Sequence, residues 1–192
     1  MMNKVIFFAL FLLISLYVFP QQNDKSGHFG GPISTFASSK LGNSISFGGW
    51  GTFVMKGNFH TGIYGQISTS IISKKSSIPM YNDYEIKNRF TGLWFGYYHS
   101  LKNNQKIHFS YFTKVGFGSV FLDNIKETTT IYDKAICITP SAEAIIKITS
   151  FMHLGIGAFY EIYSGVDFLE YKNSDFNAWG LSCSIRFCPS TK

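Results

Sequence analysis

Apolar and polar residues alternate along most of this chain with a period of two. In Ala178–Phe187, Trp179, Leu181, Cys183, Ile185 and Phe187 form one set and Gly180, Ser182, Ser184 and Arg186 the other. Successive side chains of a strand point to opposite faces, so this is a strand with one apolar face and one small, polar face. Met152–Ser164 repeats the pattern, with Met152, Leu154, Ile156, Ala158, Tyr160 and Ile162 against His153, Gly155, Gly157, Phe159, Glu161 and Tyr163. In Lys134–Ile148 the apolar set runs from Ile136 to Ile148, against Cys137, Thr139, Ser141, Glu143 and Lys147. In Lys106–Leu122, Ile107, Phe109, Tyr111, Val115, Phe117 and Phe121 stand against His108, Ser110, Lys114, Gly116 and Gly118.

Four earlier segments carry the same signal more weakly. Phe59–Ile71 sets Phe59, Thr61, Ile63 and Ile67 against His60, Gly62, Tyr64, Gln66 and Ser68. Ser44–Met55 sets Ile45, Phe47 and Phe53 against Ser46, Gly48, Trp50 and Thr52, and Arg89–His99 sets Leu93, Phe95 and Tyr97 against Gly92, Trp94 and Gly96. Gly30–Ser38 is the first strand, with Pro32 tolerated near its start. The pattern therefore predicts eight strands.

The connections alternate in length. Lys56–Asn58, Leu101–Gln105 and Thr149–Ser150 are short, and Lys-Gly-Asn is a hairpin turn signal. Ser73–Asn88, Asp123–Lys134 and Ser164–Phe176 are long. Ser39–Asn43 departs from the alternation, being short where a long link is due. Short periplasmic turns and longer external loops are the habit of outer-membrane barrels, and an even strand count leaves both termini periplasmic. Half of the Lys, Arg, Asp and Glu residues fall in the three long links. The wall is left nearly free of charge except on its polar face. That is what a lipid-facing exterior requires, since Lys or Arg at the midplane is penalised by about 2–4 kcal/mol.

Ahead of the strands, Met1–Lys4 is short and basic, and Val5–Phe19 is an apolar run followed by Pro20, Gln21 and Gln22. As a helix that run would span about 22 Å, short of a hydrocarbon core of about 30 Å. A cleavable signal peptide over residues 1–21 is expected, with a barrel domain over 22–192. No later stretch is apolar enough for a spanning helix, so a membrane-embedded mature chain must be a closed barrel.

Composition narrows the choice. Charged residues are 15% and aromatic residues 18% of the chain, whereas soluble domains carry about 25% charged. The net charge of +6 is dispersed rather than gathered on one face, so no nucleic-acid partner is expected; attraction to anionic headgroups suits it better. A soluble, lipocalin-like lipid-binding barrel would place apolar residues inside and long polar ones outside. Here the polar face is rich in Gly and Ser, which is what the crowded interior of an eight-stranded barrel needs. Lys114, Lys147 and Arg186 balance Glu143 and Glu161 on that face, as in a salt-bridged plug. A general porin is therefore not expected.

Gly30-Gly31-Pro32-Ile33, Phe47-Gly48-Gly49-Trp50-Gly51 and Phe59-His60-Thr61-Gly62-Ile63-Tyr64-Gly65 together resemble a family of small outer-membrane β-barrel proteins of Bacteroidota-type bacteria. Gln21-Gln22 at the signal exit fits the same group, and Arg186-Phe187 resembles the terminal aromatic signal read by the barrel-assembly machinery, although Cys188–Lys192 follow it. The resemblance implies the cell outer membrane, its lipids and that machinery as setting and partners. It implies no reaction.

Candidate chemistry is sparse. His28, His60, His108 and His153 each fall near the start of an upward strand, and the last three share the inner face, which makes a ring at the periplasmic rim a candidate metal or pH-sensing set. Alternate strands lie about 10 Å apart, too far for neighbours to share one ion without converging across the lumen. His99-Ser100 invites comparison with lipid A deacylases of the outer membrane, but adjacent strand residues point to opposite faces and cannot form a nucleophile–base pair. Cys137, Cys183 and Cys188 show no metal spacing, and their odd number excludes a full disulfide framework. Trp50, Trp94 and Trp179 suit wall packing, lumen packing or an interfacial belt. The expectation is thus an all-β, eight-stranded antiparallel up-and-down transmembrane β-barrel following a signal peptide. It has no catalytic, cofactor or metal residues assigned, and its role is structural, adhesive or ligand-sensing through its external loops. An outer-membrane lipid-modifying enzyme and a secreted lipocalin-like barrel are the alternatives.

Overall fold

The computed structural model describes residues 27–55, 58–73, 84–100, 106–124, 130–167 and 171–188. The expected signal segment, the turn at 101–105 and the middles of the three long links lie outside the described residues. Eight strands follow in order: β1 (His28–Ser39), β2 (Gly42–Val54), β3 (Phe59–Ser73), β4 (Tyr84–Ser100), β5 (Ile107–Asn124), β6 (Thr130–Lys147), β7 (Met152–Ser164) and β8 (Ala178–Phe187). A one-turn helix, α1 (Asn173–Phe176), precedes β8. Every strand pairs antiparallel with its neighbour in sequence, and β8 returns to β1 to close the barrel. Closure leaves no strand edge unpaired, the condition lipid imposes on a sheet.

Local chemistry sets the turns. Asn58 takes φ 67°, a left-handed conformation that Asn tolerates, and Met55 N–H donates to Phe59 O at 2.5 Å. At the β6–β7 turn, Thr149 Oγ1 accepts from Met152 N–H at 3.0 Å. Gly42, at φ 136°, opens β2 in a conformation closed to other residues.

The alternation read from the sequence decides which way each side chain faces. Phe47, Ile63, Trp179 and Leu181 stand on the outer wall with 58–66% of their surface exposed. Trp94, Lys114, Ile145 and Arg186, one residue out of phase, are at most 2% exposed in the lumen. A soluble barrel would present the reverse. An apolar wall of this extent needs a nonaqueous surrounding.

Two expectations are corrected. The ladders reach further into the long links than the alternation alone indicates, with β4 starting at Tyr84 and β6 at Thr130. Polar staples stabilise these extensions: Lys87 Nζ lies 3.0 Å from Glu85 and 2.9 Å from Asp123, and Thr69 Oγ1 donates to Glu85 at 2.5 Å. Charge had been read as a mark of loop, but here it caps the wall above its apolar band. Lys147, counted with the inner charges, is exposed at the end of β6, paired in register with His153, and takes no part in the plug.

Candidate functional site

The lumen is filled in layers. Nearest the end where β1 starts and β8 finishes, Arg186 of β8 and Glu143 of β6 face each other across the interior and form an ion pair whose side chains are 0% and 1% exposed. Ser184 Oγ donates to the same carboxylate, and Arg186 Nη1 donates to Tyr98 O–H at 3.0 Å. The guanidinium also lies against aromatic faces, 4.9 Å from the Trp50 ring centre and 5.5 Å from those of Phe29 and Tyr98. A buried charge is tolerated only when paired and hydrogen-bonded, and here both conditions are met. Gly155 makes this possible: a Cβ there would meet Glu143 Oε1 and Ser184 Oγ, so only glycine leaves room.

Above the ion pair, Trp94 is sandwiched between Trp50, at 4.7 Å and 17°, and Phe112, at 4.1 Å and 18°. The next layer is polar. Lys114 Nζ donates to Gln66 Oε1 at 3.0 Å, Gln66 Nε2 donates to Thr35 Oγ1 at 3.0 Å, and Tyr163 O–H donates to Glu161 at 3.0 Å. At the opposite end of the barrel an apolar stopper forms around Val120, Leu122, Ala135, Tyr163, Val166 and Phe176. Phe176 is brought inward by α1.

Between these layers lie cavities of about 30 and 20 Å³. Each has room for one or two waters. Neither is wide enough for a lipid chain.

The helix that carries Phe176 is tied down electrostatically. Asp175 accepts from Lys172 N–H at 3.0 Å and from Lys40 Nζ at 3.2 Å, which joins the third long link to the β1–β2 turn. The Lys172 N–H bond, then Lys40, hold the Asp175 carboxyl below its ordinary 3.8. Because the folded value is depressed, this contribution is present above about pH 4 and is lost as pH falls through the folded value. Amide chemical shifts of Lys172 are therefore expected to titrate with a midpoint below 3.8 in the folded barrel, and Asp175→Asn is expected to abolish that titration.

The histidines do not form one site. His28 is exposed on the outer wall. His60 is buried against Phe29 and Tyr98, 3.4 Å from Ser110 Oγ. His153 Nδ1 lies 3.7 Å from Cys188 Sγ, and the Tyr98 ring is 6.3 Å from that of His108. Among the described residues no three His, Cys, Asp or Glu side chains converge as metal ligands would. His99 faces outward on β4. Cys137 is buried on the inner face, as its register implied, and Cys183 is exposed on the wall. Sequence reading identified the inner charges but not the aromatic stack or the Phe176 stopper. Trp50 and Trp94 share a face with Gly on alternate strands, and that pairing was the available signal.

An apolar wall around a packed, ion-paired lumen defines the class: an all-β, closed eight-stranded antiparallel barrel of the outer-membrane type. Among solved structures the chain is similar to Neisserial surface protein A, with a TM-score of 0.64 at 12% identity over 84% of this chain and 96% of that one. It is also similar to Ail, the attachment invasion locus protein of Yersinia pestis, in complex with the heparin analogue sucrose octasulfate (TM-score 0.45, 11% identity) and without it (0.40, 12%). Each Ail comparison covers 84% of this chain and 97% of the other. These likenesses are of fold. No protein-family model and no curated protein matches the chain.

Proposed function

We propose that this protein is a plugged, non-enzymatic outer-membrane barrel whose wall serves as an anchor and whose external links make its specific contacts, in an adhesive or ligand-sensing role. The observation that carries this reading is the pairing of an apolar exterior with a filled lumen. The exterior suits lipid, and the filling argues against transport. What remains available for recognition is the rim, where β4, β5 and β6 extend above the apolar band with Glu85, Lys87 and Asp123.

Residues 1–21 act as the signal peptide in this reading. The aromatic end of β8 at Phe187 is the element offered to the barrel-assembly machinery. The Gly-rich openings of β1, β2 and β3 support a place among the small barrels of Bacteroidota-type bacteria.

Fractionation of expressing cells is expected to recover the chain in the outer membrane. Unheated samples should migrate differently from boiled ones on gels, as closed barrels do. Recovery in the soluble periplasm would overturn the reading. Reconstitution in planar bilayers should give no stepwise conductance; regular steps would overturn the plugged lumen. Matching lipid A mass spectra from cells with and without the protein are expected, and a modified species would favour the enzyme.

A further inference from the structure

The outer wall of β4 is uncharged from Thr91 to Tyr97, through Leu93 and Phe95, and is bounded by Arg89 above and His99 below. Ten residues of strand at about 3.4 Å each, tilted by about 40°, cover roughly 26 Å of membrane thickness. That matches the apolar band of about 25 Å expected of such barrels. Arg89 therefore sits at the upper edge of the hydrocarbon, at the depth of outer-leaflet headgroup phosphates. It is exposed, and its guanidinium carbon lies 5.1 Å over the Phe121 ring.

The register places a second cation beside it. Arg89 pairs with Ser119 of β5, and Ser119 pairs with Lys134 of β6. Lys134 is also exposed on the outer face. Two strand spacings put these cations about 10 Å apart at the backbone, with the serine between them. Asp123, a carboxylate nearby, pairs with Lys87 at 2.9 Å and also lies within the field of Arg89. Below this row lies a groove of about 550 Å³ between Phe47, Ile67 and Phe117, with Gly65 at its floor. A Cβ at Gly65 would meet nothing within 4 Å, and one at Gly49, its register partner, would meet only the Gly31 carbonyl oxygen, at 3.9 Å.

We propose that this face is a specific site for a phosphate-bearing glycolipid of the outer leaflet, of the lipid A class. Its phosphate is held by Arg89 and Lys134 across Ser119, and one acyl chain lies in the groove over Gly65. A guanidinium binds phosphate oxygens in pairs, and the ammonium adds a second, freely oriented charge. At this depth an outward Arg is nearly cost-free, and a fixed anion turns it to advantage. The inference rests on the outer-membrane reading above.

The test uses the full barrel folded in micelles, doped with bisphosphorylated lipid A and read by native mass spectrometry. The wild type is expected to retain lipid A at least tenfold better than the same lipid with its phosphates removed, and better than phosphatidylglycerol. Arg89→Gln with Lys134→Gln should abolish that preference, whereas Lys147→Gln at the opposite rim should leave it intact. Gly65→Leu, which fills the groove, should weaken retention of both forms of lipid A. Equal retention of lipid A and phosphatidylglycerol, or an unchanged preference in the double variant, would overturn the site. A folded, heat-modifiable barrel without lipid selectivity sinks only this inference. A chain recovered as a soluble protein sinks both.

Discussion

Glu143→Ala is expected to destabilise the folded barrel by about 3–5 kcal/mol, the usual consequence of removing one partner of a buried ion pair. The loss is large because Arg186 would remain fully enclosed with its charge uncompensated. Tyr98 and the aromatic faces of Phe29 and Trp50 would be its remaining partners, and none carries a negative charge. Ser184 would also lose the carboxylate to which it donates. Urea titration of the micelle-folded protein, followed by tryptophan fluorescence and gel mobility, measures the effect. Replacing both partners with apolar residues of similar size should recover most of the loss, because a matched apolar pair leaves no stranded charge. A single variant as stable as the wild type would mean that water reaches Arg186 and that the lumen is wetter than described.

Trp94→Ala is expected to have an effect of similar size, about 3–5 kcal/mol, from lost contacts and an unfilled void. Trp94 is the middle member of a three-ring stack and is only 1% exposed, so truncation strips contact from Trp50 and Phe112 together. The circular-dichroism exciton band of the Trp50–Trp94 pair should vanish in this variant and in Trp94→Phe alike, whereas Trp94→Phe should keep more of the stability. The loss should fall short of opening a pore, because the Arg186–Glu143 layer lies below the stack and the Phe176 stopper above it. Conductance in planar bilayers reads this directly.

How much of this was legible beforehand differs by layer. The wall was legible almost residue by residue. A period-two pattern has only two phases, and lipid outside with a crowded interior inside makes one phase strongly favoured. Strand ends were less legible, because Glu85, Lys87 and Asp133 look like loop residues until the pairing of Lys87 with Glu85 and Asp123 is seen. The inner ions were foreseen as a group. Which of them pair was not, because pairing across a lumen depends on the stagger of strands far apart in sequence. Lys147 shows the limit: its phase is that of the inner face, but its height puts it outside. The surroundings of each histidine were hidden for a related reason. Inner-face phase brought His60, His108 and His153 to one end of the barrel, while ring packing against Phe29 and Tyr98 turned His60 into a core residue.

By itself, then, the sequence determined the strand count, the inside and outside of each strand and the polar character of the lumen. Those features follow from local rules: alternation along a strand, and the penalty for charge in lipid. Only the tertiary structure decided that Arg186 meets Glu143, that Trp94 is clasped between two rings, that Phe176 closes the opposite end, and that Arg89 and Lys134 share one row of the wall. Each of these depends on register and closure, which bring residues tens to more than a hundred positions apart to the same height. A pattern with period two fixes a side chain's face but carries no information about its height against a distant strand.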